Sequence, residues 1–125
     1  MTDELRGLRV WIVEDEFLVL LDLQTVFEDA GAEVVTAASV EQGLALLDNE
    51  PLPDVALLDV RLADGEVFPL ARALTRRGVP VVFHSGHAQV SDLAAAFPGA
   101  RALPKPAPES ALLAAVSEAR GAELR

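Results

Sequence analysis

Asp54-Val55-Ala56-Leu57-Leu58-Asp59 decides the fold. The unbroken apolar run Val55 to Leu58 suits a strand at the centre of a parallel sheet, buried on both faces under helices. The run delivers a carboxylate, Asp59, at its C-terminal end. A carboxylate buried there is costly unless something cationic meets it. The position therefore asks for a partner from another strand end.

Working outward on the N-terminal side, Arg9–Val13 reads as a first strand that ends in Glu14-Asp15-Glu16. Phe17 to Ala30 is a helix, with Phe17, Leu20, Leu21, Val26 and Phe27 at three- and four-residue spacing, and Gly31 suits its stop. Glu33–Ala37 is a second strand. Ser39 with Gln42 three residues on has the form of a capping box, and Val40, Leu44 and Leu47 form the stripe of a second helix. Pro51 and Pro53 make the next stretch a loop.

On the C-terminal side, Arg61 to Gly65 reads as a turn and Glu66 to Arg77 as a third helix carrying Val67, Leu70, Ala71 and Leu74. Gly78 ends it, with Pro80 just beyond. Val81–His84 is a fourth buried strand with Ser85-Gly86-His87 as its exit loop. Gln89 to Phe97 is a short helix, and Ala100 to Leu103 a brief strand. Pro104-Lys105-Pro106 is a rigid connection into a last helix, Pro108 to Arg120, with Glu109 favourable in its first turn and Leu112, Leu113 and Val116 apolar.

Five strands thus alternate with five helices. Strands joined through helices lie parallel with right-handed crossovers. A chain of 125 residues closes into an open, doubly wound α/β sheet with helices on both faces, too short for an eight-stranded barrel. One domain is expected over residues 1–125, its core about residues 7–120.

Composition narrows the function. Hydrophobic residues make up 51%, enough for a core. No apolar run approaches a membrane span, and the acidic start lacks a signal peptide's features, so a cytoplasmic protein is expected. The absence of cysteine excludes disulfides and thiolate catalysis. A net charge of −10 argues against nucleic acid as a partner. Lys105 is the only lysine.

In such a sheet the working crevice lies outside the carboxyl ends of the strands. Those ends supply Glu14 and Asp15, then Asp59, Ser85 and Lys105. Glu14 and Asp15 alone would serve as acids at a helix start; in register with Asp59 and Lys105 they read as a site. Three neighbouring carboxylates repel one another without a cation, and oxygen ligands in this number suit Mg²⁺, which leaves room for a phosphate oxygen. Asp59 would be the nucleophile and form an aspartyl phosphate. Lys105 and the Ser85 hydroxyl would meet other phosphoryl oxygens. His84 and His87 read as structural or solvent-facing, and Trp11 as packing.

Val13-Glu14-Asp15-Glu16, Leu57-Leu58-Asp59-Val60, Phe83-His84-Ser85-Gly86 and Leu103-Pro104-Lys105-Pro106, in this order, resemble the receiver domain of two-component response regulators over almost the whole chain. The resemblance implies the flavodoxin-like receiver fold, a stand-alone receiver, and Mg²⁺ held by Glu14, Asp15, Asp59 and the backbone carbonyl of Arg61. It implies a phosphoacceptor rather than a turnover enzyme, with a histidine kinase or histidine phosphotransfer protein as donor and an unknown downstream protein as target. The aromatic usual three residues before the lysine is Ala102 here, and the fourth helix is short. Those departures motivate an alternative, a receiver-like binding module that works without phosphorylation. A Mg²⁺-dependent phosphohydrolase ranks last, because Arg61 stands where a second acid would act.

Overall fold

The computed structural model describes residues 3–86 and 90–123. They form β1 (Arg9–Val13), α1 (Phe17–Asp29), β2 (Glu33–Ala37), α2 (Val40–Asn49), β3 (Val55–Leu58), β4 (Arg61–Leu62), β5 (Gly65–Glu66), α3 (Phe68–Arg76), β6 (Val81–Ser85), α4 (Val90–Ala96), β7 (Arg101–Pro104) and α5 (Glu109–Glu123). The main sheet has five strands in the order β2-β1-β3-β6-β7, all parallel. β3 is central: Leu58 pairs with Val13 on one side and Phe83 on the other. Its four residues are all buried, the outcome expected of an apolar run without alternation.

Helices cover both faces. Leu23 and Phe27 of α1 pack with Leu112 and Val116 of α5 against Val10, Ile12, Val55 and Leu57. On the other face, Val40 of α2, Leu70 and Leu74 of α3 and Leu93 of α4 pack against Trp11, Val13, Ala56, Leu58 and Phe83. Adjacent strand residues point to opposite faces, so one short strand feeds two cores. Leu70 and Leu74 are completely buried, and each such side chain stabilises the fold by about 1.5–3 kcal/mol.

Two expected stripes hold in part: Leu20, Val26 and Phe27 pack into one core and Val40 and Leu47 into the other, while Phe17, Leu21 and Leu44 are exposed. On α1 the buried residues are Leu23 and Phe27, whereas Phe17 is 70% and Leu21 48% exposed. The three- and four-residue spacing fitted two neighbouring faces of that helix, and burial chose the one centred on Phe27. On α2 the buried residues are Val40 and Gly43, with Leu44 at the surface. A Cβ on Gly43 would stand 2.5 Å from Leu70 Cδ2, so a residue without a side chain sets how closely α2 approaches α3. Trp11 is packing, as expected, with no exposed surface.

The stretch read as a plain turn is a hairpin. Arg61 pairs with Glu66 and Leu62 with Gly65, antiparallel. Glu66 is therefore committed to a strand, and α3 begins at Phe68, with Pro69 in the first turn where its missing N–H costs nothing. The remaining boundaries shift by a few residues or fewer; α5 runs on to Glu123. Gly31 ends α1 at φ +99, where an added Cβ would lie 3.0 Å from the Cα of Arg6.

Candidate functional site

Two main-chain hydrogen bonds carry the sheet one residue past its strands. Glu14 N–H donates to Ala37 O at 3.0 Å, and Asp59 N–H donates to Val13 O at 2.9 Å. Because β1 and β3 are neighbours, these bonds bring Glu14 and Asp15 beside Asp59. One carboxylate oxygen from each of the three lies within 4.8 Å of the others.

Lys105 enters from beyond β7. Its backbone N–H donates to Ser85 O at 2.9 Å, which ties the end of β7 to the end of β6. Its Nζ donates to Glu14 Oε1 at 2.5 Å and to Asp59 Oδ2 at 3.2 Å, and stands 3.8 Å from Glu16 Oε1. The other oxygen of Glu14 accepts from the Glu16 N–H at 3.1 Å. Glu14 and Asp59 are buried, while Asp15 is half-buried.

Three acids and one ammonium leave a formal charge of −3 + 1 = −2 in this space. Burial pushes the Glu14 carboxyl above its usual value; the hydrogen bonds from Lys105 and the Glu16 N–H oppose the rise, and the charge of Asp59 adds to it. Burial also works against the Lys105 ammonium, but the bonds and charges of Glu14 and Asp59 outweigh it and hold the lysine above its ordinary range. Burial dominates the first shift and the neighbouring carboxylates the second, in a poorly solvated pocket with negative charge in excess. A hard divalent cation would cancel that excess, and carboxylate oxygens at this separation are the donors such an ion takes.

Asp59 and Lys105, 46 residues apart in the chain, are thus in contact, and Glu14 and Asp15 join them. Ser85 is buried at the carboxyl end of β6, in register with Pro104. Arg61, two residues after Asp59, opens the β4–β5 hairpin with its side chain exposed. Val67 N–H donates to Val60 O at 2.9 Å. Antiparallel ladders alternate bonded and non-bonded pairs, so the next pair, Arg61 with Glu66, carries no mutual bonds and the Arg61 carbonyl is left off the ladder. His84 is buried on the α1–α5 face, and neither ring nitrogen has a hydrogen-bond partner. Burial first, then the charge of Lys105, holds its imidazole below the ordinary value against the pull of Glu14. His87 lies outside the described residues.

One polar residue near the site was not legible as more than a turn former. Asp64, at the hairpin tip, accepts from the backbone N–H of Val40 at 2.9 Å and of Glu41 at 3.1 Å. Those two bonds, in that order, hold its carboxyl below the usual range. Asp-Gly in a short loop signals a turn; nothing local says that the carboxylate caps a helix 24 residues earlier. Ala102 sits partly buried against the α2–α3–α4 core. The aromatics on that side are Phe97, stacked on Phe68 at 5.9 Å and tilted on Phe83 at 5.2 Å.

A family model described as the response regulator receiver domain matches residues 10–117. The fold is similar to that of a response regulator receiver domain protein from Methanospirillum hungatei, 28% identical, with 93% of this chain and 95% of that one covered and a TM-score of 0.83. A response regulator receiver protein from Sinorhizobium medicae is 26% identical over 93% of this chain and 96% of its own, with a TM-score of 0.85. A sensor protein from a Polaromonas species is 25% identical over 94% of this chain and 98% of its own, at a TM-score of 0.82. No curated protein matches the chain. Among the described residues no helix is long and apolar enough to cross a membrane.

Proposed function

The chain belongs to the response regulator receiver domain family, and from that premise we propose that Asp59 is its phosphoacceptor, charged by a histidine kinase or a histidine phosphotransfer protein in a Mg²⁺-dependent step. The observation that carries the reading is the convergence of Glu14, Asp15 and Asp59 within 4.8 Å beside Lys105. Glu14, Asp15, Asp59 and the Arg61 carbonyl are the groups that would hold the ion. Bound there, Mg²⁺ supplies positive charge against the carboxylates and against the phosphoryl oxygens as they gather charge.

Lys105 engages Asp59 Oδ2, so Oδ1 is the atom left to attack. An Oδ1–phosphorus bond forms as the donor's phosphorus–nitrogen bond breaks. The leaving imidazole keeps the electron pair and takes a proton from solvent. Lys105 then has a phosphoryl oxygen to meet as well as its carboxylates, and the Ser85 hydroxyl donates to another. The new group carries up to about two negative charges, enough to draw Ser85 inward and alter the surface offered to a downstream protein. The site does this once per phosphoryl group and is not a turnover enzyme. The reading implies a cytoplasmic location.

Incubation with Mg²⁺ and a small acyl phosphate, followed by intact-mass detection, should add a single phosphate to the wild type and none to Asp59→Asn or to chelator-treated protein. No incorporation into the wild type would sink the proposal.

A further inference from the structure

The hairpin after Asp59 is held at three points. Its base closes through Val67 N–H on Val60 O. Its middle is anchored by Leu62, which is buried in the α2–α3–α4 core. Its tip is fastened by Asp64, whose two oxygens take the first two backbone donors of α2. The remaining cap of that helix is independent of the hairpin: Ser39 Oγ accepts from Gln42 N–H at 3.0 Å, and Gln42 Oε1 accepts from Ala38 N–H at 2.8 Å. A helix end already capped by Ser39 and Gln42 has thus recruited a carboxylate from another part of the chain.

Arg61 lies in the other strand of this hairpin, with its carbonyl off the ladder. A main-chain ligand cannot be aimed by a rotamer; only the conformation of its own segment aims it. We infer that Asp64 is a positioning residue for the ion site, clamping the hairpin to α2 so that the Arg61 carbonyl is presented beside Asp59. The inference rests on the proposed Mg²⁺ site and adds a residue that does not touch the ion. It also makes the N-terminus of α2 sensitive to occupancy of the site, because coupling between two places in a protein is reciprocal.

Calorimetric titration of Mg²⁺ into metal-free wild type, Asp64→Ala and Ser39→Ala tests it. Ser39→Ala weakens the same helix end without touching the hairpin, so it controls for loss of stability alone. The expected result is about tenfold weaker binding in Asp64→Ala, the lower end of what loss of an outer-shell partner does. Ser39→Ala should bind like the wild type, and Asp64→Asn, which keeps one acceptor, should fall between. In wild-type protein Mg²⁺ should also slow hydrogen exchange at the Val40 and Glu41 amides more than at Gln42, a measurement that needs no variant to fold. Wild-type affinity in Asp64→Ala, equal losses in Asp64→Ala and Ser39→Ala, or unchanged exchange at Val40 and Glu41 would overturn the inference alone. Absence of Mg²⁺ binding by the wild type would overturn both it and the site it rests on.

Discussion

Replacing Lys105 by Met removes the only ammonium from a pocket that holds three carboxylates. Methionine keeps much of the stem's volume, so the perturbation is mainly one of charge. The contacts with Glu14 and Asp59 are worth about 7 and about 5 kcal/mol at an effective dielectric constant near 20, and desolvation of the groups cancels much of that sum. Removing one partner of a buried pair nevertheless leaves the others uncompensated, at a cost of about 3–5 kcal/mol. The Lys105 side chain keeps 17% of its exposure, so the low end applies, about 3 kcal/mol. The sign with pH follows from the carboxyls. Burial already raises Glu14, and without the lysine it rises further. A carboxyl with a raised folded value favours the folded state when protonated and loses that contribution as pH rises, so the deficit of the variant is full at neutral pH and shrinks as pH falls toward about 4. In the wild type the raised Lys105 contributes below the ordinary lysine range and is lost only as strongly alkaline pH is reached. Urea unfolding of metal-free protein, followed through the single tryptophan, Trp11, which is wholly buried, measures both quantities. Mg²⁺ should return part of the deficit by binding the folded state. A deficit under about 1 kcal/mol at pH 7, or one that is the same at pH 4, would refute the idea that excess negative charge governs this pocket.

Three further outcomes are expected. His84→Leu removes two buried nitrogens that have no partner and should raise stability by about 1 kcal/mol. Because the folded histidine sits below its ordinary value, its contribution is present above about pH 6.5 and is lost as pH falls; the wild type should therefore lose stability from pH 7 to pH 5 faster than the variant, and parallel curves would contradict this. Gly31→Ala places a Cβ at φ +99, 3.0 Å from the backbone of Arg6, and should cost about 1–3 kcal/mol in chemical denaturation; a neutral substitution would mean that this turn relaxes freely. Phe97→Ala deletes a buried ring that touches both Phe68 and Phe83 and should cost about 3–5 kcal/mol, with the fastest new hydrogen exchange in α4; an exchange pattern unchanged in α4 would show that the aromatic cluster does not hold that helix.

Several features were legible because they are local. Val55–Leu58 has no polar alternation, and only a strand covered on both sides tolerates that. Leu70, Ala71 and Leu74 repeat at helical spacing and are all buried. Ser39 and Gln42 carry out their cap within four residues of each other. Other features depend on what stands opposite. Leu21 and Leu44 suit a helical stripe by spacing yet face solvent, since the rotation of a helix about its axis is set by the sheet beneath it. Gly43 is unremarked in sequence but sets the α2–α3 distance because Leu70 lies over it.

From the order of residues alone came the alternation of strands and helices, the placing of Glu14, Asp15, Asp59, Ser85 and Lys105 at strand ends, and the family they resemble. The first two follow from periodicity and from the rule that parallel strands point their carboxyl ends the same way; the resemblance rests on the four strand-end motifs. Tertiary contact decided which oxygen of Asp59 the lysine occupies, that His84 is sealed away without a partner, and that Asp64 grips a helix 24 positions before it. Distances of a few ångströms between segments far apart in the chain arise only when the sheet closes, and hydrogen bonds, burial and charge balance are functions of those distances.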